Sequence, residues 1–123
     1  MTEPLDPNPV NGELAVREYF DSKTRRYLKR VITPELIEEH RCGPHAQHRS
    51  EPLGRLMFYL KNLPIDQQYA LRLMPNGAYR ITSIPKPGEP PVEVDGTDYP
   101  DPSAGLHGIF LRKINDLMGR QDG

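Results

Sequence analysis

Fourteen prolines in 123 residues constrain this chain more than any other feature. Proline lacks an amide hydrogen and has a fixed φ, so it is excluded from helix and strand interiors and tolerated in turns, at edges and in the first helical turn. Its positions therefore punctuate the sequence. Thr33-Pro34-Glu35 reads as a helix start, with Thr33 as N-cap, proline at the first helical position and an acid in the first turn. Ser50-Glu51-Pro52 repeats the signal, and Asp101-Pro102 opens a last helix. Pro64 closes the helix begun at Ser50. Pro85 to Pro100 reads as an irregular crossing segment.

Apolar periodicity fills the spaces between these marks. Val16, Tyr19, Phe20, Lys23, Tyr27 and Val31 recur at helical spacing, widened by Leu28 and Ile32, which predicts a helix from Glu13 to about Val31. Leu36 and Ile37 face inward on the second helix, which ends near Gly43-Pro44. Leu53, Leu56, Met57 and Leu60 form one stripe on the third, and Leu106, Ile109, Phe110, Lys113, Ile114 and Leu117 form another on the last, which Gly119 ends.

Between them, Tyr69, Leu71 and Leu73 alternate, and Tyr79 and Ile81 follow Pro75-Asn76-Gly77. A two-residue Asn-Gly turn would set Leu73 opposite Arg80 and mix the faces. A three-residue Pro-Asn-Gly loop pairs Leu73 with Tyr79 and Leu71 with Ile81, and places Gly77 where φ must be positive. Val92, Glu93 and Val94 are candidates for a short third strand. The expected architecture is α+β: N-terminal helices, a β-hairpin or small antiparallel sheet, and a C-terminal helix packed on it. Residues 1–11 read as a disordered lead, 12–119 as one domain and 120–123 as a tail.

The apolar material for this domain is thin. Residues of the AVILMFWYC set make up 36%; replacing the six tyrosines by the ten glycines gives about 39%, against an ordinary ~45–50% on that definition. Either the core is small or a partner surface completes it. Sixteen basic and seventeen acidic residues leave a formal net charge of −1, which argues against a general nucleic-acid binder. Basic residues do cluster at Lys23-Thr24-Arg25-Arg26 and Lys29-Arg30, as the solvated face of a helix or an anionic-partner patch. A single cysteine excludes an internal disulfide, and no apolar run is long enough to span a bilayer. With no signal-peptide pattern, the expected location is cytoplasmic.

Chemistry, if any, belongs to Glu38-Glu39-His40-Arg41-Cys42-Gly43-Pro44-His45-Ala46-Gln47-His48-Arg49-Ser50, which holds three of the four histidines and the only cysteine. Cys42 and His45 have the spacing of one zinc-ligand pair, and His48 could extend it; His40 is too close to Cys42, and a fourth ligand would have to be His107 or a carboxylate. Otherwise His40 seals the end of its helix and His48 hydrogen-bonds near the next helix start. Cys42 as nucleophile lacks an identifiable oxyanion stabiliser, and Ser50 is explained by capping. The carboxylate pairs Glu38/Glu39 and Asp95/Asp98 do not suggest general acid–base work. Arg80, opposite the hairpin's apolar face, and Arg112, beside Ile109 and Phe110, are candidate binding residues, or surface arginines covering apolar neighbours with their stems.

Taken in order, Ile37-Glu38-Glu39-His40, Pro44, His48-Arg49-Ser50, Leu53, Arg55, Tyr59, Tyr79-Arg80-Ile81 and His107-Gly108-Ile109-Phe110-Leu111-Arg112-Lys113-Ile114 leading to Asp116 resemble the small (alpha) subunit of bacterial N,N-dimethylformamidase and related short proteins. The resemblance runs from about residue 14 to 118, and its best single motif is the run on the last helix. It implies a chain that is not itself the catalyst and packs against a much larger subunit, which holds a mononuclear iron and hydrolyses the amide to formate and an amine. It places no catalytic residue, metal ligand or cofactor on this chain, and marks His40, His48, Arg80, His107, Phe110 and Arg112 as scaffold or interface positions. Cys42 and His45 depart from the pattern. The expected function is thus an accessory small subunit of an amidohydrolase complex. A stand-alone ligand-binding or homodimeric module and a Cys/His metal protein are the alternatives.

Overall fold

Each proline-led start produces a helix in the computed structural model, which describes residues 21–119. The predicted lead and tail, and the first helix before residue 21, lie outside the described residues. Helix α1 runs over residues 21–31, α2 over Pro34–Cys42, α3 over Glu51–Lys61 and α4 over Pro102–Met118; strands β1 (Tyr69–Leu73) and β2 (Tyr79–Ser83) lie between α3 and α4. The side chains of Thr33, Ser50 and Asp101 accept from the amides of Leu36, Leu53 and Ala104, satisfying donors that the first helical turn leaves unpaired.

The core is helical. Leu28, Leu36, Leu53, Leu56 and Leu60 pack with Phe110, Ile114 and Leu117, so that α4 closes the bundle formed by the first three helices. Each such buried side chain contributes roughly 1.5–3 kcal/mol relative to exposure. The inward face of α1 departs from the predicted stripe. Lys23 is exposed, while Arg25 is buried beside Leu28, one turn of the pattern further round.

The hairpin has the register expected from its faces. Leu71 lies opposite Ile81 and Leu73 opposite Tyr79, the Met74 amide donates to the Ala78 carbonyl, and Gly77 sits at φ 86°. Helix α4 packs on both strands. Two glycines allow this: a Cβ on Gly105 would come within 2.6 Å of the Leu71 side chain, and one on Gly108 within 2.7 Å of the Tyr99 ring. Leu73, at the end of β1, remains 62% exposed.

The third strand is reduced to two isolated bridges, Thr82 with Glu93 and Tyr79 with Tyr99, on the outer edge of β2. Between them the chain loops away through Gly96 at φ 73°, a turn held by the Thr97 amide donating to Asp95 Oδ1. Residues 92–99 thus form a strap along β2. Among the described residues, no helix is long and apolar enough to cross a membrane.

Candidate functional site

Helices α2 and α4 meet at three rings. His40, on the inner face of α2, is 2% exposed and lies flat on Phe110 of α4, with centroids 3.8 Å apart and planes 9° from parallel. His107, one turn before Phe110, approaches from the side, its Nδ1 2.9 Å from that of His40. At that distance one Nδ1 carries the proton and donates, and the other accepts. Burial is the main cause that holds both imidazoles below their ordinary pKa. His40 falls to about 4, helped by the positive fields of His107, Arg49 and His45. His107 is lowered further by Arg41 and partly restored by Glu38. The pair is neutral at pH 7, with each Nδ1 engaged by the other.

The loop after α2 is anchored differently. Glu39 reaches forward to α3, accepting from the Ser50 amide at 2.7 Å and the Ser50 hydroxyl at 2.6 Å, while Ser50 Oγ accepts from the Leu53 amide. The two bonds from Ser50 hold the Glu39 carboxyl below the usual carboxylate range. Glu38 pairs instead with Arg41, which lowers its pKa to about 2. Adjacent carboxylates therefore diverge, as helical geometry requires. Ser50→Ala is expected to cost about 1 kcal/mol through the lost N-cap alone, measured as a lower urea midpoint. A midpoint unchanged from the parent would show that another group takes over the Leu53 amide.

Two arginines tie the strap down. Arg80 of β2 donates from Nε to Asp98 at 2.6 Å and from Nη1 to Glu93 at 2.9 Å. Arg112 of α4 donates to Asp95 at 2.8 Å and sits 5.8 Å from the Tyr69 ring centroid; Tyr69 in turn donates to Asp116. Asp98 and Asp95 are both shifted below the ordinary carboxylate range, the first chiefly by Arg80 and the second by the Thr97 amide and then Arg112. At the end of α3, the Gln68 amide donates to the Leu60, Lys61 and Leu63 carbonyls, and Lys113 bonds to Gln68 and Leu60. This satisfies acceptors that a helix C-terminus leaves open.

Of the six sequence-derived interface positions, His40, His107 and Phe110 come together, and Arg80 and Arg112 meet through the strap. His48 stands apart and exposed in the loop. Cys42 is an exposed free thiol, 3.4 Å from a Glu38 oxygen, and His45 is exposed nearby in sequence. Among the described residues, no three His, Cys, Asp or Glu side chains gather closely enough to hold a metal ion. Periodicity also passed over Phe58. It stands 71% exposed on α3 between buried Leu56 and Leu60, and its place one residue off the Leu53–Leu60 stripe was the available signal.

The arrangement is one of joints: a ring stack, a carboxylate bracket and two arginine clamps. No curated protein matches the chain in sequence. The family model for the N,N-dimethylformamidase alpha subunit matches residues 15–122, nearly the whole chain and a range that includes the residues of every joint described above. This chain belongs to the N,N-dimethylformamidase alpha subunit family.

Proposed function

We propose that the chain is the non-catalytic accessory small subunit of an N,N-dimethylformamidase-like amidohydrolase complex. It stabilises a large, iron-containing catalytic subunit and carries no cofactor itself. The observation that carries this reading is the family match over residues 15–122. Side-chain chemistry supports it. His40 and His107 are engaged with each other, Glu39, Asp95 and Asp98 each hold a neighbouring element, and Glu38 is paired with Arg41 of its own helix. Meanwhile Phe58, Ile65, Leu73 and Val92 stand more than 60% exposed on four different parts of the chain. A partner that covered such side chains would gain about 1.5–3 kcal/mol for each one fully buried. An exposed free thiol at Cys42 suits a reducing compartment, and we place the complex in the cytoplasm.

Co-expression with the large subunit tests the proposal. The expected result is a hetero-oligomer by light scattering, a large subunit that melts at higher temperature in the complex than alone, and formate release by the complex that stops when iron is removed. Amide hydrolysis by the isolated, metal-stripped small chain would overturn it.

A further inference from the structure

Strand β1 leaves the sheet with a bare edge. The sheet holds only β1 and β2, and the strap covers the far side of β2 alone. Tyr79, Ile81 and Ser83 engage their outward groups there. Tyr79 exchanges two bonds with Tyr99, the Ile81 carbonyl accepts from the Val94 amide, and the Ser83 amide donates to the Val92 carbonyl. Bonding direction alternates along an antiparallel pair. Leu73, Leu71 and Tyr69, which lie opposite those three residues, therefore turn their N–H and C=O groups away from β2. Among the described residues, none of these amides or carbonyls has a hydrogen-bond partner.

The usual guards against edge pairing are missing. Strand β1 contains no proline or lysine, and its register with β2 runs without a bulge. Its apolar side chains share the face toward α4, where Leu71 lies against Gly105 and the Tyr69 hydroxyl reaches Asp116. Leu73 falls on that face by alternation and is 62% exposed. Arg72, the one charge on the strand, falls on the other face with Ala70.

The strand is its own complement. Turned about a two-fold axis through Leu71, a second β1 sets Leu71 opposite Leu71 and each Tyr69 opposite the other copy's Leu73. All three outward residues of each strand then exchange both bonds, as hydrogen-bonded antiparallel pairs do. A shift by two residues leaves one of them unmatched. The exposed Leu73 meets a tyrosine ring, and Arg72 stands opposite Ala70, so no like charges face each other directly. The partner this edge calls for has apolar side chains at its bonded positions and a small residue facing Arg72. That is the pattern of β1 itself.

We propose that two copies of the chain join edge to edge through β1, doubling the two-stranded sheet into one continuous antiparallel sheet. The pairing goes beyond the accessory-subunit reading and does not rest on it.

The test uses the full chain at rising concentration. Sedimentation is expected to show a monomer passing into a dimer. Hydrogen exchange is expected to slow at the Tyr69, Leu71 and Leu73 amides as the dimer forms, and to stay unchanged at Ala70 and Arg72, which bond within the hairpin. Leu73→Pro removes one edge amide per copy and no hairpin bond, and is expected to weaken association about tenfold. The two Arg72 side chains are diagonal neighbours in the dimer, so Arg72→Thr is expected to strengthen it; poor folding would not produce that gain. With Cys42 replaced by serine, Ala70→Cys together with Arg72→Cys is expected to form a disulfide between copies, since these positions face each other at a Cα separation of about 4.5 Å. A chain that stays monomeric at every concentration would overturn the pairing, as would a dimer that is unaffected by Leu73→Pro and forms no such disulfide. Protection of the three amides by the larger subunit without pairing of small chains would assign the edge to that subunit and also overturn it.

Discussion

Phe110→Ala is expected to destabilise the chain by about 3–5 kcal/mol, the range for removing a buried aromatic side chain from a packed core. Phe110 is 3% exposed and belongs to the cluster that joins α4 to the first three helices. It is also the surface on which His40 lies. The substitution therefore opens a void and removes the ring contact that seats α2 against α4. Urea denaturation at pH 7 measures the loss, and Phe110→Leu, which retains most of the apolar volume, should lose less. A double-mutant cycle with His40→Ala isolates the stack. The expected coupling is about 0.5–1.5 kcal/mol, as for other aromatic pairs. A loss below about 1 kcal/mol for Phe110→Ala would place it with ordinary surface substitutions and would contradict the packing described here.

Phe110 was legible from sequence as an inward residue, because the stripe from Leu106 to Leu117 repeats at helical spacing. The helix starts were legible because capping is local: Thr33, Ser50 and Asp101 each act on an amide three residues away. The hairpin register followed from keeping Leu71 and Ile81 on one face, a choice confined to a dozen residues. What the sequence hid was long-range pairing. His40 and His107 are 67 positions apart, and Arg80 reaches Glu93 and Asp98 across 13 and 18. Nothing periodic marks such partners: spacing sets His40 too close to Cys42 for a ligand pair and leaves His107 only as a possible distant fourth ligand, and neither reading joins the two rings. The basic helix was misplaced in detail for a related reason. Spacing alone assigned Lys23 to the inner stripe, whereas the fold buries Arg25. The strap fell short of a strand because Gly96 turns it away from β2 and Pro100 has no amide to extend the ladder beyond Tyr99.

The same histidine pair makes the α2–α4 seam acid-sensitive. Burial lowers the His40 pKa to about 4 in the fold, against an ordinary value of 6.5. Between those limits the unfolded chain binds a proton that the folded chain does not, so stability falls as pH falls through this window. Below about pH 4 both forms are protonated and this contribution is fully lost. The shift corresponds to on the order of 3 kcal/mol. The groups acting on the pair all come from its surroundings: Glu38 and Arg41 of α2, His45 and Arg49 of the following loop, while Lys61 and Lys113 line the same small cavity as His40. Only Glu38 favours a charged imidazole, and its effect falls on His107. Charging both rings would also set two Nδ1–H groups against each other across the 2.9 Å contact. The carboxylates behave in a separate window. Glu38, Asp95 and Asp98 have depressed values in the fold, so their contributions are present above the ordinary carboxylate range and disappear below it. Urea midpoints measured from pH 7 to pH 4 should fall steeply for the parent and much less for His40→Phe, which keeps a ring against Phe110 and cannot titrate. Equal slopes for the two proteins over that range would show that the pair does not govern the seam.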